Sequence, residues 1–294
     1  MMRVLVTGKD SQLGKSIHRI TSEIQQNDYF VFANRQELDF SDNRHFEEYF
    51  EVNNFDIIIN CVAYTAVDIA ESEPELTYQV NYEAVKKLAQ IAYKKNITLI
   101  HVSTDYVFDG KSSKAYDEDD ETNPINTYGK SKLAGESAIK EIMPVNAIIL
   151  RTSWMYSEYG NNFVDTMLML CKKQKKLKVV KDQIGSPTYA GDLAIAILKI
   201  IKHEKIQKGN HPTQIYHYSN MGECSKHEFA KNIFILLESK CSVSSIMTND
   251  FPSPAKRPLN TLMSKSKIMK DFDIEIPHWR DSLTTFMALL NKES

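Results

Sequence analysis

The chain has 294 residues and a nearly balanced charge, which excludes several classes of protein. Lys and Arg number 36 against 38 Asp and Glu, the formal net charge is -2, and hydrophobic residues make up 42% of the sequence. This composition is typical of a globular protein with a sizeable core, and it gives no sign of a nucleic-acid surface. The length fits one large α/β domain, or a nucleotide domain that carries a smaller substrate-binding part.

The sequence predicts a reduced, cytoplasmic protein without a membrane span. The longest apolar run, FDIIINCVAY, is far too short to cross a bilayer, and the N-terminus enters a strand at once, without the regions of a signal peptide. The four cysteines are widely separated and form no Cys-x-x-Cys pair. We therefore expect them to be packing residues, and we expect neither a disulfide framework nor a metal site.

Five apolar runs predict the strands of a parallel sheet. In chain order they are RVLVT (3–7), YFVFA (29–33), DIIINC (56–61), ITLIHVST (97–104) and NAIILRT (146–152). Their continuous hydrophobicity suits strands buried on both faces, and the amphipathic segment 83–96 between two of them predicts a helix that buries Ala84, Leu88, Ile91 and Ala92. Such alternation indicates an α/β fold, a doubly wound sheet of the Rossmann type.

The regularity weakens after about residue 155. We predict a Rossmann domain at residues 1–155 and a smaller C-terminal substrate-binding lobe at 156–294, with some segments of the lobe returning to the Rossmann core. The strand candidate IYHYSN (215–220) is assigned to the insertions that build this lobe. The Lys-rich run 172–181 is interpreted as a solvated helix end rather than a binding site, and the acidic run 117–121 as a solvated flap rather than a cation site.

The segment VLVTGKDSQLG (4–14) is typical of a phosphate-binding turn between a strand and a helix, except that Ser11 replaces the usual middle glycine. Serine is small, and its hydroxyl can add a hydrogen bond to an anion already attracted by the helix N-terminus. Taken alone, the spacing is equally compatible with a tight structural turn. Read as a cofactor loop, it assigns contacts to Gly8, Lys9, Asp10, Ser11, Gln12 and Leu13.

The end of the second strand, FANRQELDF (32–40), predicts which cofactor is used. Asn34 and Arg35 lie where an acidic residue would bind the adenosine ribose of NADH, whereas a guanidinium can bind a ribose phosphate. This favours NADPH without excluding NADH. We also predict that Asp39 and Phe40 of the same segment contact the cofactor. The alternative is that Arg35 is a surface cation of the loop.

Tyr128 and Lys132 are four residues apart, so they project from one face of a predicted helix. Reduction of a ketone requires a hydride on carbon and a proton on oxygen. We expect the Lys132 ammonium to make the Tyr128 phenol more acidic than its reference pKa of about 10 and also to bind the nicotinamide ribose. Thr104 or Ser103, at the end of the fourth strand, would hydrogen-bond the substrate oxygen. A Tyr-x-x-x-Lys pair also fits a solvated helix face, but here it follows a glycine loop and a strand-end Ser-Thr.

Seven segments in order resemble the extended short-chain dehydrogenase/reductases, and within them the dTDP-4-dehydrorhamnose reductases. They are GKDSQLG, CVAYTAVDIAESEPELTYQVN, STDYVFDG, YGKSKLAGE, RTSWMYSEYGNNFV, DQIGSPT and RPLNTLM. The resemblance implies reduction of the 4-keto group of dTDP-4-dehydro-L-rhamnose to dTDP-L-rhamnose, with Thr104, Tyr128 and Lys132 as catalytic residues.

The resemblance also implies binding residues. Those along the cofactor are Cys61, Val62, Ala63, Tyr64, Thr65, Asn81 and Ser103. Those for the sugar nucleotide are Val67, Asp68, Thr104, Asp105, Tyr106, Trp154, Asn162, Phe163 and Arg257. Arg257 would pair with diphosphate oxygens, and Trp154 would offer a face to a sugar or base, unless it is a core residue.

Other functions of such chains stay open. Relatives with the same Tyr and Lys also epimerise or dehydrate nucleotide sugars, but dehydratases carry an Asp-Glu pair where this chain has Asp105 and Tyr106. A non-catalytic dinucleotide-binding subunit would be expected to lose the catalytic residues. Some relatives form a metal-bridged dimer through acidic residues, where this chain has Lys15 and Ala190. We therefore predict a monomer or a homodimer without bound metal.

Overall fold

A computed structural model describes residues 1–24 and 27–293 of the chain. Its strands are β1 (Arg3–Thr7), β2 (Tyr29–Ala33), β3 (Ile57–Asn60), β4 (Thr98–Thr104), β5 (Ala147–Thr152), β6 (Met155–Tyr156), β7 (Lys176–Val180), β8 (Ile184–Gly185), β9 (Thr188–Tyr189), β10 (Gln214–His217), β11 (Cys224–Ser225) and β12 (Ser242–Ile246). Its α-helices are α1 (Gln12–Glu23), α2 (Phe46–Val52), α3 (Val67–Ala70), α4 (Pro74–Tyr78), α5 (Ala84–Lys94), α6 (Thr127–Ile142), α7 (Phe163–Lys173), α8 (Ala190–Lys202), α9 (Glu204–Gln207), α10 (Lys226–Leu236), α11 (Ser266–Phe272) and α12 (Trp279–Glu293). A π-helical turn, Gln79–Glu83, precedes α5, and 3₁₀ turns lie at Asn43–His45, Asp105–Val107 and Thr248–Asp250.

Six strands form one parallel sheet in the order β10-β5-β4-β3-β1-β2. The chain runs from β1 to one edge at β2 and then crosses to β3 on the other side of β1. Open α/β sheets bind ligands at the carboxyl ends of the strands beside such a reversal. The fold therefore predicts a ligand site where β1, β3 and β4 end.

Both faces of the sheet are buried, which explains the uninterrupted hydrophobicity of its strands. Successive side chains of β1 point to opposite faces. Val4 and Val6 pack in a cluster that includes residues of α1 and α8, whereas Leu5 packs in a second cluster with residues of α2 and α5. The predicted doubly wound α/β fold is confirmed, and β1 to β5 begin and end within one residue of the predicted bounds.

Three predictions for individual segments were wrong or incomplete. The candidate at 215–220 does not build the lobe, because β10 pairs with β5 and forms the edge of the central sheet. The Lys-rich run is a helix end only as far as Lys173, since β7 follows and pairs with β12. The acidic run is exposed except at Glu118, a buried residue whose carboxylate accepts a 3.0 Å hydrogen bond from the backbone N–H of His217.

A separate core lies in the C-terminal half of the chain. Tyr156, Phe229, Trp279 and Phe286 are buried there among side chains of α7, α10 and α12. Trp154 is half-buried and packs against this cluster. In the part of the chain that the structure describes, no helix is both long and apolar enough to cross a membrane.

Candidate active site

A cavity of about 910 Å³ opens where the strands of the central sheet end. It lies at the upper end of the volume range of small-molecule sites. The predicted site residues line it, with the exception of Lys9, Asp68, Asn81, Asn162 and Arg257. The sheet edge therefore brings the predicted cofactor and catalytic residues into one space.

Two of the five exceptions support the wall of the cavity instead. Asn81 is buried, its Oδ1 accepts a 2.8 Å hydrogen bond from the backbone N–H of Tyr64, and its Nδ2 donates to the Tyr64 carbonyl at 3.1 Å. Asn162 caps α7, where its Oδ1 accepts from the backbone N–H of Val164 at 2.9 Å. Lys9 is exposed on the turn after β1.

The turn after β1 has the geometry of a phosphate-binding loop. Gly8 has a φ of +73°, and a Cβ at Gly14 would lie 2.2 Å from the Gly8 carbonyl oxygen, so only glycine lets α1 approach the turn this closely. Ser11 precedes α1, and its Oγ accepts a 3.0 Å hydrogen bond from the backbone N–H of Gly14. Serine thus caps the helix at the position where a glycine was expected, and its hydroxyl proton is left to donate to an anion. These residues fit the pyrophosphate of a dinucleotide.

Arg35 lines the cavity with a side chain that is 75% exposed. Its Nε lies 3.1 Å from Oδ2 of Asp39, and its Nη2 donates to the Ser41 hydroxyl at 2.8 Å. Asn34 supports the same loop, because its Oδ1 accepts from the backbone N–H of Gln36 at 2.8 Å. The guanidinium is therefore held at the mouth of the cavity and remains accessible to a phosphate.

The catalytic side chains converge where β4 ends. Thr104 caps a 3₁₀ turn, where its Oγ1 accepts from the backbone N–H of Tyr106 at 3.2 Å and donates to Oδ1 of Asp105 at 3.1 Å. The same hydroxyl lies within hydrogen-bond reach of the Tyr128 phenol oxygen. A Cβ at Gly129 would lie 2.2 Å from the carbonyl oxygen of Tyr106, so glycine at this position allows the start of α6 to meet the turn. The Tyr106 and Tyr128 rings contact edge to face, with centroids 5.9 Å apart.

The predicted acidification of Tyr128 is wrong for this structure. Burial raises the pKa of the phenol to about 12, against the hydrogen bond from Thr104, and the Asp105 charge adds to the rise. The charge of Lys132 is not among the causes. The Lys132 Nζ donates instead to the Val102 carbonyl at 2.7 Å.

Lys132 ends a buried chain of polar groups that the sequence did not suggest. Oδ1 of Asn60 accepts hydrogen bonds from the Thr7 hydroxyl at 2.8 Å and from the backbone N–H of Val62 at 3.1 Å. Because the amide oxygen is held in this way, the amide nitrogen of Asn60 faces Nδ1 of His101 at 2.9 Å. The other ring nitrogen, Nε2, lies 3.2 Å from Nζ of Lys132. Burial lowers the pKa of His101 and lowers that of Lys132 to about 8. His101 lies in the predicted strand 97–104, but only its neighbours in the folded chain reveal this role.

Asp68 and Arg257 do not line the cavity and bind each other. Nη1 of Arg257 is 3.0 Å from Oδ1 of Asp68, and Nη2 is 2.6 Å from Oδ2. The Arg257 hydrogen bond holds the pKa of Asp68 below its usual range. The guanidinium expected to pair with diphosphate is thus already paired with protein, so its contact with substrate stays a prediction.

The cavity also contains residues that the sequence reasoning missed. Thr152 ends β5 and Ser153 follows it, so the rule that placed Thr104 at the end of β4 also finds these two residues. Lys226, the first residue of α10, reaches the cavity from the C-terminal half and carries no such signal. Among the described residues, no group of three or more His, Cys, Asp and Glu is placed to hold a metal ion.

Comparison with known proteins gives the same family for nearly the whole chain. The family described as the RmlD substrate binding domain matches residues 2–292. A dTDP-4-dehydrorhamnose reductase of Aggregatibacter actinomycetemcomitans is 40% identical over 98% of this chain and 99% of its own length. A crystal structure of such a reductase from Clostridium acetobutylicum is 36% identical with a TM-score of 0.91, covering 99% of this chain and 100% of that one. Another from Bacillus anthracis, in complex with NADP, is 37% identical with a TM-score of 0.90, covering 98% and 99%.

Proposed function

The chain belongs to the RmlD substrate binding domain family, and from this premise we propose that it is an NADPH-dependent reductase of dTDP-4-dehydro-L-rhamnose, which it converts to dTDP-L-rhamnose. The observation that carries the proposal is the position of Thr104 and Tyr128 in the same cavity as the turn from Gly8 to Gly14. A phosphate-binding turn and a proton donor are the two parts that a nicotinamide-dependent reductase needs. Residues 1–155 would hold most of the cofactor contacts, and 156–294 would complete the sugar-nucleotide site.

The cofactor site uses residues at the ends of three strands. The turn after β1 binds the pyrophosphate, Arg35 after β2 binds the ribose phosphate, and the small residues Cys61 to Ala63 after β3 let a flat ring approach the backbone. When bound, NADPH supplies the hydride. NADH is expected to bind more weakly, because it lacks the phosphate that Arg35 recognises.

Tyr128 supplies the proton. Because its pKa is raised to about 12, the phenol is fully protonated at neutral pH and is available to donate to the carbonyl oxygen as that oxygen gains charge. Thr104, hydrogen-bonded to the phenol, orients the same oxygen. Lys132, anchored on the Val102 carbonyl, has remaining donors for the nicotinamide ribose.

The residues around Thr104 favour reduction over dehydration. Elimination of water needs one group to take a proton and a second to protonate the leaving hydroxyl. Asp105 is followed here by Tyr106, and burial raises the pKa of that phenol above its usual value, so Tyr106 cannot replace a carboxylate. The cytoplasm and a monomer or homodimer remain our predictions for location and assembly.

The test is a spectrophotometric assay of NADPH oxidation with dTDP-4-dehydro-L-rhamnose, followed by identification of dTDP-L-rhamnose. We expect turnover with this substrate and none without it. Binding of NADPH with no turnover on a panel of 4-keto sugar nucleotides would contradict the proposal and favour a non-catalytic subunit.

A further inference from the structure

We propose that Lys226 is a specificity-determining residue that, together with Asp105, binds two neighbouring hydroxyl groups of the substrate's sugar ring. The inference rests on the proposed function, because it assigns a role within the same site. It adds a residue from the C-terminal half of the chain that neither the motifs nor the strand ends predicted.

The position of Lys226 is set by the start of α10. Oγ of Ser225 caps this helix by accepting a 3.0 Å hydrogen bond from the backbone N–H of Glu228, and the backbone N–H of Lys226 donates to the Gln183 carbonyl at 3.2 Å. The side chain then extends into the cavity. Its Nζ lies 3.7 Å from the ring centroid of Trp154 and 4.8 Å from that of Phe163.

The ammonium of Lys226 lacks a hydrogen-bond acceptor among the described residues. Lys132, Arg35 and Arg257 each have a protein acceptor, which is Val102, Asp39 and Asp68 respectively. Two aromatic faces stabilise the Lys226 charge in part, but they use none of its three N–H donors as a strong hydrogen bond. Burial accordingly lowers the pKa of Lys226 to about 7. A ligand oxygen would complete this environment.

Asp105 offers the complementary acceptor. Its Oδ1 accepts from Thr104, whereas Oδ2 is buried and has no hydrogen-bond partner. The Thr261 hydroxyl lies near enough to stabilise the charge of the Asp105 carboxylate, but it makes no hydrogen bond with Oδ2. Burial raises the pKa of Asp105 to about 6, and the charge of Lys226 opposes this rise, although Oδ2 of Asp105 forms no hydrogen bond with the described residues. An acceptor and a donor thus face the cavity with no direct contact between them.

A sugar diol matches this pair of groups. Each hydroxyl can donate one hydrogen bond and accept another, so one hydroxyl can donate to Asp105 and accept from Lys226, while the next accepts from a second N–H of the ammonium. Asp105 directly follows Thr104, which holds the carbonyl oxygen. The hydroxyls concerned are therefore the one on carbon 3, next to the keto carbon, and the one on the adjoining carbon 2. A diphosphate would instead avoid the carboxylate because both are negative.

The experiment compares Lys226→Met and Lys226→Arg with the wild type by calorimetric titration in the presence of NADP+. The ligands are dTDP-L-rhamnose and dTDP, which lacks the sugar. We expect Lys226→Met to weaken dTDP-L-rhamnose by about 10- to 150-fold, as expected for loss of a charge-assisted hydrogen bond, and to leave dTDP within about twofold. Lys226→Arg, which keeps a cation and its donors, should recover part of the loss.

Deoxy analogues of the ligand show whether Lys226 binds the sugar hydroxyls or only holds the Trp154 ring in place. In the wild type, dTDP-L-rhamnose analogues without the hydroxyl at carbon 2 or carbon 3 should bind more weakly than the parent, and in Lys226→Met at least one of these differences should disappear. Unchanged differences for both analogues, or an equal loss of affinity for dTDP, would overturn the inference. Failure of the proposed function is distinct, because the wild type itself would then neither bind nor reduce the sugar nucleotide.

Discussion

Gly14 lets α1 approach the turn after β1, and we predict that Gly14→Ala weakens NADPH binding. An added Cβ would lie 2.2 Å from the Gly8 carbonyl oxygen and 3.1 Å from that of Lys9. Real Cβ contacts are essentially never shorter than 3.0 Å, so the helix and the turn must separate by about 0.8 Å. Both neighbours are backbone atoms, which cannot rotate away as a side chain would.

The magnitude follows from where this displacement acts. Overpacking costs about 1 to 3 kcal/mol, and here it moves the helix N-terminus whose free N–H groups bind the pyrophosphate. The same movement lengthens the 3.0 Å hydrogen bond that the backbone N–H of Gly14 donates to Oγ of Ser11, the cap of α1. Because about 1.4 kcal/mol is a factor of ten, NADPH affinity should fall by about 5- to 150-fold.

The assay is a fluorescence titration of NADPH, with Gly191→Ala as the matched control. Gly191 also lies in the first turn of a helix, and its Cβ would meet the Tyr189 ring at 2.6 Å, but it does not line the cavity. The control should lower the melting temperature and leave NADPH affinity unchanged. An NADPH affinity of Gly14→Ala within twofold of the wild type would refute the reasoning.

Three further variants test single side chains of the site. Tyr128→Phe should lower kcat by about 10²- to 10⁴-fold with little change in NADPH affinity, and an unchanged kcat would remove Tyr128 from the mechanism. Arg35→Ala should weaken NADPH more than NADH, since the exposed guanidinium is available to the phosphate, and an equal loss for both would place phosphate recognition elsewhere. Burial lowers the pKa of Lys132 from 10.5 to about 8. Between these two pH values the folded state binds fewer protons than the unfolded state, so the free energy of unfolding of the wild type rises with pH. Urea titrations at both ends of that interval should show a smaller rise in the free energy of unfolding for Lys132→Met than for the wild type. An equal rise in both proteins would contradict the lowered pKa of Lys132.

The central sheet could be predicted because most of its strands are recognisable from their local sequence alone. Strands buried on both faces require continuous apolar runs, and β1 to β5 have them. β10 was misplaced because it is a short strand at the sheet edge, beside β5, where Gln214 pairs with Ile148. That partner lies far away in the sequence, and no local pattern reveals it.

The site was predictable where residue order alone decides position. Residues that follow parallel strands meet at one edge, which placed Thr104 and the glycine turn correctly in one cavity. Lys226 arrives through the packing of α10 against Trp154, and the pKa of Tyr128 depends on how deeply the phenol is buried. Both are consequences of tertiary structure, so neither could follow from spacing.

The face of α6 explains how the reacting phenol is held against the sheet. Tyr128, Lys132 and Glu136 recur at four-residue intervals, so they lie along one side of the helix. Lys132 is fixed to the Val102 carbonyl of β4. Glu136 is buried one turn further, where Arg151 of β5 binds it through two nitrogens at 3.0 and 2.7 Å, and Ser103 donates to it at 2.5 Å. Two buried charged groups thus fix the register of α6 on neighbouring strands, and a shift of the helix by one turn would leave both without partners. These anchors position Tyr128 on α6 beside the end of β4.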